Sequence, residues 1–185
     1  AAYAITDEPV NFESKKIIRV DDVLTTLQLL AKHHRLQLDI PFIAITGSNG
    51  KTTTKELLHE VLSTTYKTYT TEGNLNNHIG IPITILKVKA DANIAVIEMG
   101  ANHQKEIAFL CSIAQPDYGY ITNFGKAHLE GFGGVEGVIK GKSEMYTYLS
   151  RNDKTVFVNL DDAIQVDKTK IEYPVNIPED ARSFI

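Results

Sequence analysis

The residues best suited to chemistry stand in one run, Ile45-Thr46-Gly47-Ser48-Asn49-Gly50-Lys51-Thr52-Thr53. A short apolar stretch, Phe42–Thr46, leads into it, and a helix-period stretch, Thr53–Ser63, leaves it. Strand, glycine-bearing loop and helix in that order suit the capture of phosphate. Gly47 and Gly50 let the backbone turn so that successive N–H groups, those of Ser48 and Asn49 among them, face inward around phosphate oxygens. The helix beginning near Thr52 and Thr53 adds the positive end of its dipole. Lys51 can neutralise charge on terminal phosphates, and the Thr52 hydroxyl can ligate Mg2+. The general phosphate-loop pattern has a glycine where this chain has Ile45. A plain strand-to-helix turn is the alternative, and two glycines in this context favour a nucleotide.

Glu98 ends the apolar run Ile94–Glu98. In open α/β sheets, ligands bind at the carboxyl ends of the strands. A lone glutamate there is usually a solvated charge; beside a phosphate loop it becomes a ligand for Mg2+, directly or through water. His128 follows another strand-like run and falls at the same edge, as a metal or phosphate contact or as an ordinary surface histidine. The stretch Thr71–Pro82 sets Asn74, Asn76 and Asn77 beside Gly73 and Gly80. It reads either as turn chemistry or as a set of amides for a polar substrate. His33, His34, His59, His78 and His103 include no pair at a zinc-ligand spacing.

Such residues need elements to hold them. Short β-branched or aromatic runs predict strands at 17–20, 42–46, 67–70, 94–98, 118–122 and 155–159. Helical periods over 53–63, 105–113 and 135–149, and one from Val23 that Asp21 or Asp22 can cap, lie between them. The alternation predicts an α/β fold, a mostly parallel sheet with helices on both faces. The 185 residues are 43% apolar and 23% charged, with a net charge of −4. That balance gives no basic surface for nucleic acid or anionic membrane. No apolar run approaches the roughly 18 residues that would span a bilayer, so membrane insertion is not expected. The first residues carry no signal-peptide pattern, and Cys111 is the only cysteine. Both fit a cytoplasmic, reducing compartment. Residues 1–40 read as the tail of a preceding domain and 41–160 as a central ATP-binding domain. Residues 161–185, with Pro174 and Pro178, form a polar tail of no clean period. The chain thus reads as a fragment cut at both ends.

Four strings, Thr46–Thr52, Asn74–Pro82, Glu98–His103 and Thr122–Glu130, resemble the Mur ligases of peptidoglycan synthesis. Asn74-Leu75-Asn76-Asn77-His78-Ile79-Gly80-Ile81-Pro82 and Glu98-Met99-Gly100-Ala101-Asn102 are similar to the branch that joins D-Ala-D-Ala to UDP-MurNAc-tripeptide. The phosphate loop is also that of folylpolyglutamate synthases. The resemblance implies a P-loop-type central domain and an ATP-dependent carboxylate–amine ligase acting through an acyl phosphate. Lys51 would contact the terminal phosphates, and Thr52 and Glu98 would hold the Mg2+ of ATP. His128 would ligate a second Mg2+. Family members use a lysine carbamylated by CO2, and Lys142-Ser143-Glu144-Met145-Tyr146 fits its context. Asn74, Asn77 and Asn123 become candidates for substrate contact. Residues 1–40 become the end of a domain for the UDP part. The resemblance covers Val20 to Asp162, with no match beyond. A folylpolyglutamate-type ligase and a non-catalytic nucleotide-binding fragment are the competing readings.

Overall fold

The computed structural model describes residues 3–10 and 14–172, with side chains as far as 168. Two short parallel strands, β1 (Ala4–Thr6) and β2 (Ile17–Arg19), form a separate ribbon. Helix α1 (Val23–Leu36) follows, capped by the Asp22 carboxylate, which accepts from Thr25 N at 2.6 Å. Then strands and helices alternate: β3 (Phe42–Thr46), α2 (Lys51–Ser63), β4 (Thr68–Thr70), α3 (Gly80–Lys87), β5 (Ile94–Glu98) and α4 (Glu106–Ala114). The rest is β6 (Tyr118–Ile121), α5 (Leu129–Phe132), α6 (Val135–Arg151), β7 (Thr155–Phe157) and α7 (Ala163–Glu172).

The main sheet has the order β4-β5-β3-β6-β7, and each neighbouring pair is parallel. β3 is therefore central, and the loop that leaves its carboxyl end sits between the exits of β5 and β6. Phe42, Ala44, Ala95 and Ile97 face the larger core, where Ala31, Ile81, Ile85, Leu110, Met145 and Leu149 of α1, α3, α4 and α6 meet them. The alternation of a strand turns the equally buried Ile45 and Val96 to the other face, and α2 packs against β3, β4 and β5. This accounts for the unbroken apolar runs of β3 and β5: neither face is wet.

One buried cation fastens the entry end of the sheet. The Arg35 guanidinium donates to Ala114 O, Leu38 O and Gln115 O, each at 3.0 Å, and to Asp117 Oδ2 at 2.8 Å. It also lies 4.0 Å over the Phe42 ring. Asp117 in turn accepts from Phe42 N at 3.0 Å, so α1, β3 and β6 start in register.

Three helices were not expected from the periodicity. α3 begins inside the Asn- and Gly-bearing run, where Asn77 Oδ1 accepts the N–H groups of Ile79 and Gly80 at 3.0 and 2.9 Å. It is apolar on nearly every side, so no polar face marks its period. α5 is a single turn. α7 replaces the first part of the expected patternless tail: Asp162 Oδ1 accepts from Ile164 N and Gln165 N, and the helix docks through the fully buried Gln165. Gln165 Nε2 donates to Ile121 O at 2.9 Å, while its Oε1 accepts from Tyr146 Oη and Asn159 N. A helix that docks through a buried glutamine shows little apolar stripe to read. Pro174 and Pro178 lie outside the described residues, as do Ala1 and Ala2.

Candidate functional site

The loop after β3 is held open by glycine and tied down by the exit of β6. Gly47 has φ 145°, and a Cβ there would come within 1.9 Å of Thr122 Oγ1. Gly50 has φ 77° and stands directly before α2. Asn123 clamps the loop from across the sheet. Its carbonyl accepts from Ser48 N at 3.1 Å, its Oδ1 accepts from Asn49 N at 3.2 Å, and its Nδ2 donates to Asn49 O at 3.0 Å. Thr122 Oγ1 also donates to Asn49 O at 2.6 Å, and Ser48 Oγ to Gly125 O at 2.7 Å. Asn123 is thus a loop-shaping residue in this structure. Thr52 and Thr53 lie exposed on the first turn of α2.

Two lysines converge on the loop. Lys51 Nζ donates to Gly47 O at 2.8 Å and to Ser48 O at 3.4 Å, folded back over the loop it follows. Lys142, projecting from α6 and 2% exposed, donates to the same Gly47 O at 3.1 Å. Burial, and then the charge of Lys51, pull the Lys142 ammonium down to about 8. Burial also lowers Lys51, partly offset by the Glu98 carboxylate. The Lys142 ammonium further sits 5.5 Å over the Phe132 ring.

Glu98 completes this corner. It is 2% exposed, its Oε1 accepts from Asn76 Nδ2 at 2.8 Å, and its Oε2 has no partner among the described residues. A buried carboxylate oxygen without a donor is costly, and a cation would relieve it. That orphaned oxygen fits a divalent ion held mainly by phosphate oxygens. Among the described residues no cluster of three or more His, Cys, Asp or Glu side chains forms a self-sufficient metal cage. Mg2+ is commonly bound through one or two carboxylates plus substrate phosphates, so the donor set is of the right kind.

A cleft of about 590 Å3 opens beside these groups, and Lys51, Asn76, Asn77, His128, Lys142, Lys105 and Phe109 are among the residues that line it. His128 is exposed and sits at φ 56° immediately before α5. Of the sequence candidates, Lys51, Asn77, His128 and Lys142 line the cleft, and Glu98 adjoins it through Asn76. Asn74 is exposed and outside the lining. Asn76 was not singled out, although it lies between Asn74 and Asn77 in the same run; only the β5 register reveals that it faces Glu98.

Fold and site define a phosphate-loop α/β domain, a central parallel strand delivering a glycine loop and lysine to a polar cleft. The Mur ligase middle domain model matches residues 45–177, and the chain belongs to that family. The match runs past Asp162, so the expectation that the resemblance stops there is corrected. The chain is 42% identical over 153 residues to the UDP-N-acetylmuramoyl-tripeptide–D-alanyl-D-alanine ligase of Bacillus subtilis, covering 83% of this chain and 34% of the relative. MurF from Acinetobacter baumannii superposes with TM-score 0.82 at 36% identity, over 97% of this chain and 37% of that one. MurF from Thermotoga maritima in complex with ADP gives 0.81 at 34%, over 94% and 39%. The chain spans about a third of the length of the curated relatives it matches. Escherichia coli FolC, at TM-score 0.53 and 15% identity over 66% of this chain and 38% of that one, shares the fold alone.

Proposed function

We propose that this chain is the ATP-binding core of a ligase that joins D-Ala-D-Ala to UDP-MurNAc-tripeptide. The observation that carries the reading is the convergence of Lys51 and Lys142 on Gly47 O beside the unpartnered Glu98 Oε2. In this reading residues 41–160 are the central domain and residues 1–40 the end of a domain for the UDP part. The enzyme would work in the cytoplasm; among the described residues no helix is long and apolar enough to cross a membrane.

A carboxylate is a poor electrophile, because its charge repels an amine and its oxygen is a bad leaving group. Its oxygen attacks the γ-phosphorus of ATP; the new O–P bond forms as the bond to the β-phosphate oxygen breaks and ADP departs. The D-Ala-D-Ala nitrogen then attacks the acyl carbon. The C–O bond to phosphate breaks, inorganic phosphate leaves, and the nitrogen gives up a proton. Lys51 would carry its charge on the terminal phosphates, which requires it to leave Gly47 O. Positioned cations are the main catalytic device at such sites. Thr52, Glu98, His128 and a carbamylated Lys142 are the residues that would hold Mg2+. Mg2+ bound there would screen phosphate charge and orient the γ-phosphoryl group.

The lowered Lys142 ammonium supports carbamylation, since only the neutral amine adds to CO2, forming an N–C bond and releasing a proton. Asn77, and Asn74 beside it, would meet the sugar-peptide substrate. The test is phosphate release by the full-length protein that carries this chain. It should need UDP-MurNAc-tripeptide and D-Ala-D-Ala together, with no turnover on a folate acceptor. Turnover on folate, or ATP binding without acceptor-dependent phosphate release, would reject the proposal.

A further inference from the structure

Asn76 ties the acidic end of β5 to the loop before α3. Its Nδ2 donates to Glu98 Oε1 at 2.8 Å, and its backbone carbonyl accepts from Gly100 N at 2.8 Å. A carboxylate can only accept, so the amide nitrogen must face Glu98 and Asn76 Oδ1 must turn away from it. Gly100 packs against the same amide. A Cβ there would lie 2.7 Å from Asn76 Oδ1, 2.9 Å from its Cγ and 3.1 Å from its Nδ2, so the missing side chain leaves the room the amide group occupies.

Glu98 is also held from behind. Its backbone N–H donates to Thr71 Oγ1 at 2.9 Å, and Thr71 O accepts from the fully buried Lys55 Nζ at 2.7 Å. With its backbone and Oε1 both fastened, the carboxylate keeps one free direction, that of the buried Oε2.

We propose that Asn76 is a positioning residue for Glu98. By engaging Oε1 it keeps Oε2 aimed at the divalent cation of a bound nucleotide, and so sets metal affinity without touching substrate. Hydrogen bonds to ligating carboxylates act in this way generally, and losing one weakens metal binding roughly 10- to 100-fold. The inference rests on the nucleotide-metal reading above.

Calorimetry of the 185-residue chain with ADP alone and with Mn2+ and ADP tests it, with the Mn2+ EPR spectrum as a second readout. The unaltered chain should bind ADP more tightly when Mn2+ is present. If the metal makes no difference, the nucleotide-metal reading fails and takes this proposal with it. Where the metal does help, Asn76→Ala should weaken Mn2+-dependent binding by roughly 10- to 100-fold and leave metal-free ADP binding nearly unchanged. In a Glu98→Gln background, Asn76→Ala should add no further loss, because both changes remove one function. Equal losses with and without metal, or losses that simply add, would make Asn76 an ordinary structural residue and overturn the proposal. Gly100→Ala provides a route that leaves Asn76 itself intact. Its new methyl should displace the amide and reproduce the metal-selective loss; unchanged Mn2+-dependent binding and EPR signal in that variant would equally overturn the proposal.

Discussion

The ammonium groups of Lys51 and Lys142 share one acceptor, the carbonyl of Gly47, at 2.8 and 3.1 Å. Burial, and after it the repulsion of the neighbouring Lys51 charge, brings the Lys142 ammonium down to about 8. The same carbonyl holds Lys51 in place over the loop. An arriving polyphosphate offers the Lys51 ammonium a stronger partner than a neutral carbonyl.

Lys51→Ala should leave the fold intact, because Nζ bonds only loop carbonyls. On the proposed ligase reading, it should lower turnover of the full-length protein by roughly 100- to 1,000-fold, the usual effect of deleting one stabilising contact at a developing charge. Steady-state phosphate release checks this. Near-normal turnover would remove Lys51 from the terminal phosphates.

Lys142 should leave a signature in the pH dependence of stability. Its folded value of about 8 lies below the ordinary lysine value of 10.5, so between the two the unfolded chain binds a proton that the folded chain does not. Stability therefore rises with pH across that window, and Lys142→Met should lack this part of the rise. Urea midpoints of both chains in CO2-free buffer measure it. Parallel pH curves would refute the lowered ammonium.

Exposing the same chain to 13C-labelled CO2 near pH 8 should add one carbamate resonance. Lys142→Met should lack that resonance while Lys140→Met keeps it, since Lys140 is exposed and Lys142 is buried. A signal that survives Lys142→Met would place the modification elsewhere.

Gly47→Ala combines a left-handed backbone position with a methyl 1.9 Å from Thr122 Oγ1. It should destabilise the chain by about 1–3 kcal/mol and loosen the Asn49 clamp, weakening nucleotide binding along with it. Thermal unfolding and calorimetry with ADP would be read together. An unchanged melting point would mean that the loop relaxes without strain.

Gln165→Leu should cost on the order of 1–3 kcal/mol, because Ile121 O and Asn159 N lose the partner that Gln165 supplies. The urea midpoint reports it. A neutral result would show that α7 is not integral to the β6 side of the sheet.

Local chemistry was readable from the chain alone. The phosphate loop, the buried strands β3 and β5, an aspartate cap at Asp21 or Asp22 and the placement of Glu98 at a strand end all follow from residue type and near-neighbour spacing. Glycine, lysine and β-branched runs act within a few residues of themselves, and that range is what a sequence displays. Residue placement also marked His128 at the same edge, and family strings then added Lys142, which no spacing rule links to Lys51. Tertiary structure decided what depends on contacts across the sheet. Asn123 shapes the loop instead of standing free in the cleft, and Asn76 is the amide that meets Glu98. Helix α3 is buried on nearly every side, and α7 docks a buried glutamine, Gln165, against the end of β6. Each of these relations joins residues that become neighbours only when parallel strands bring their carboxyl ends to one edge, and that long-range register is invisible along the chain.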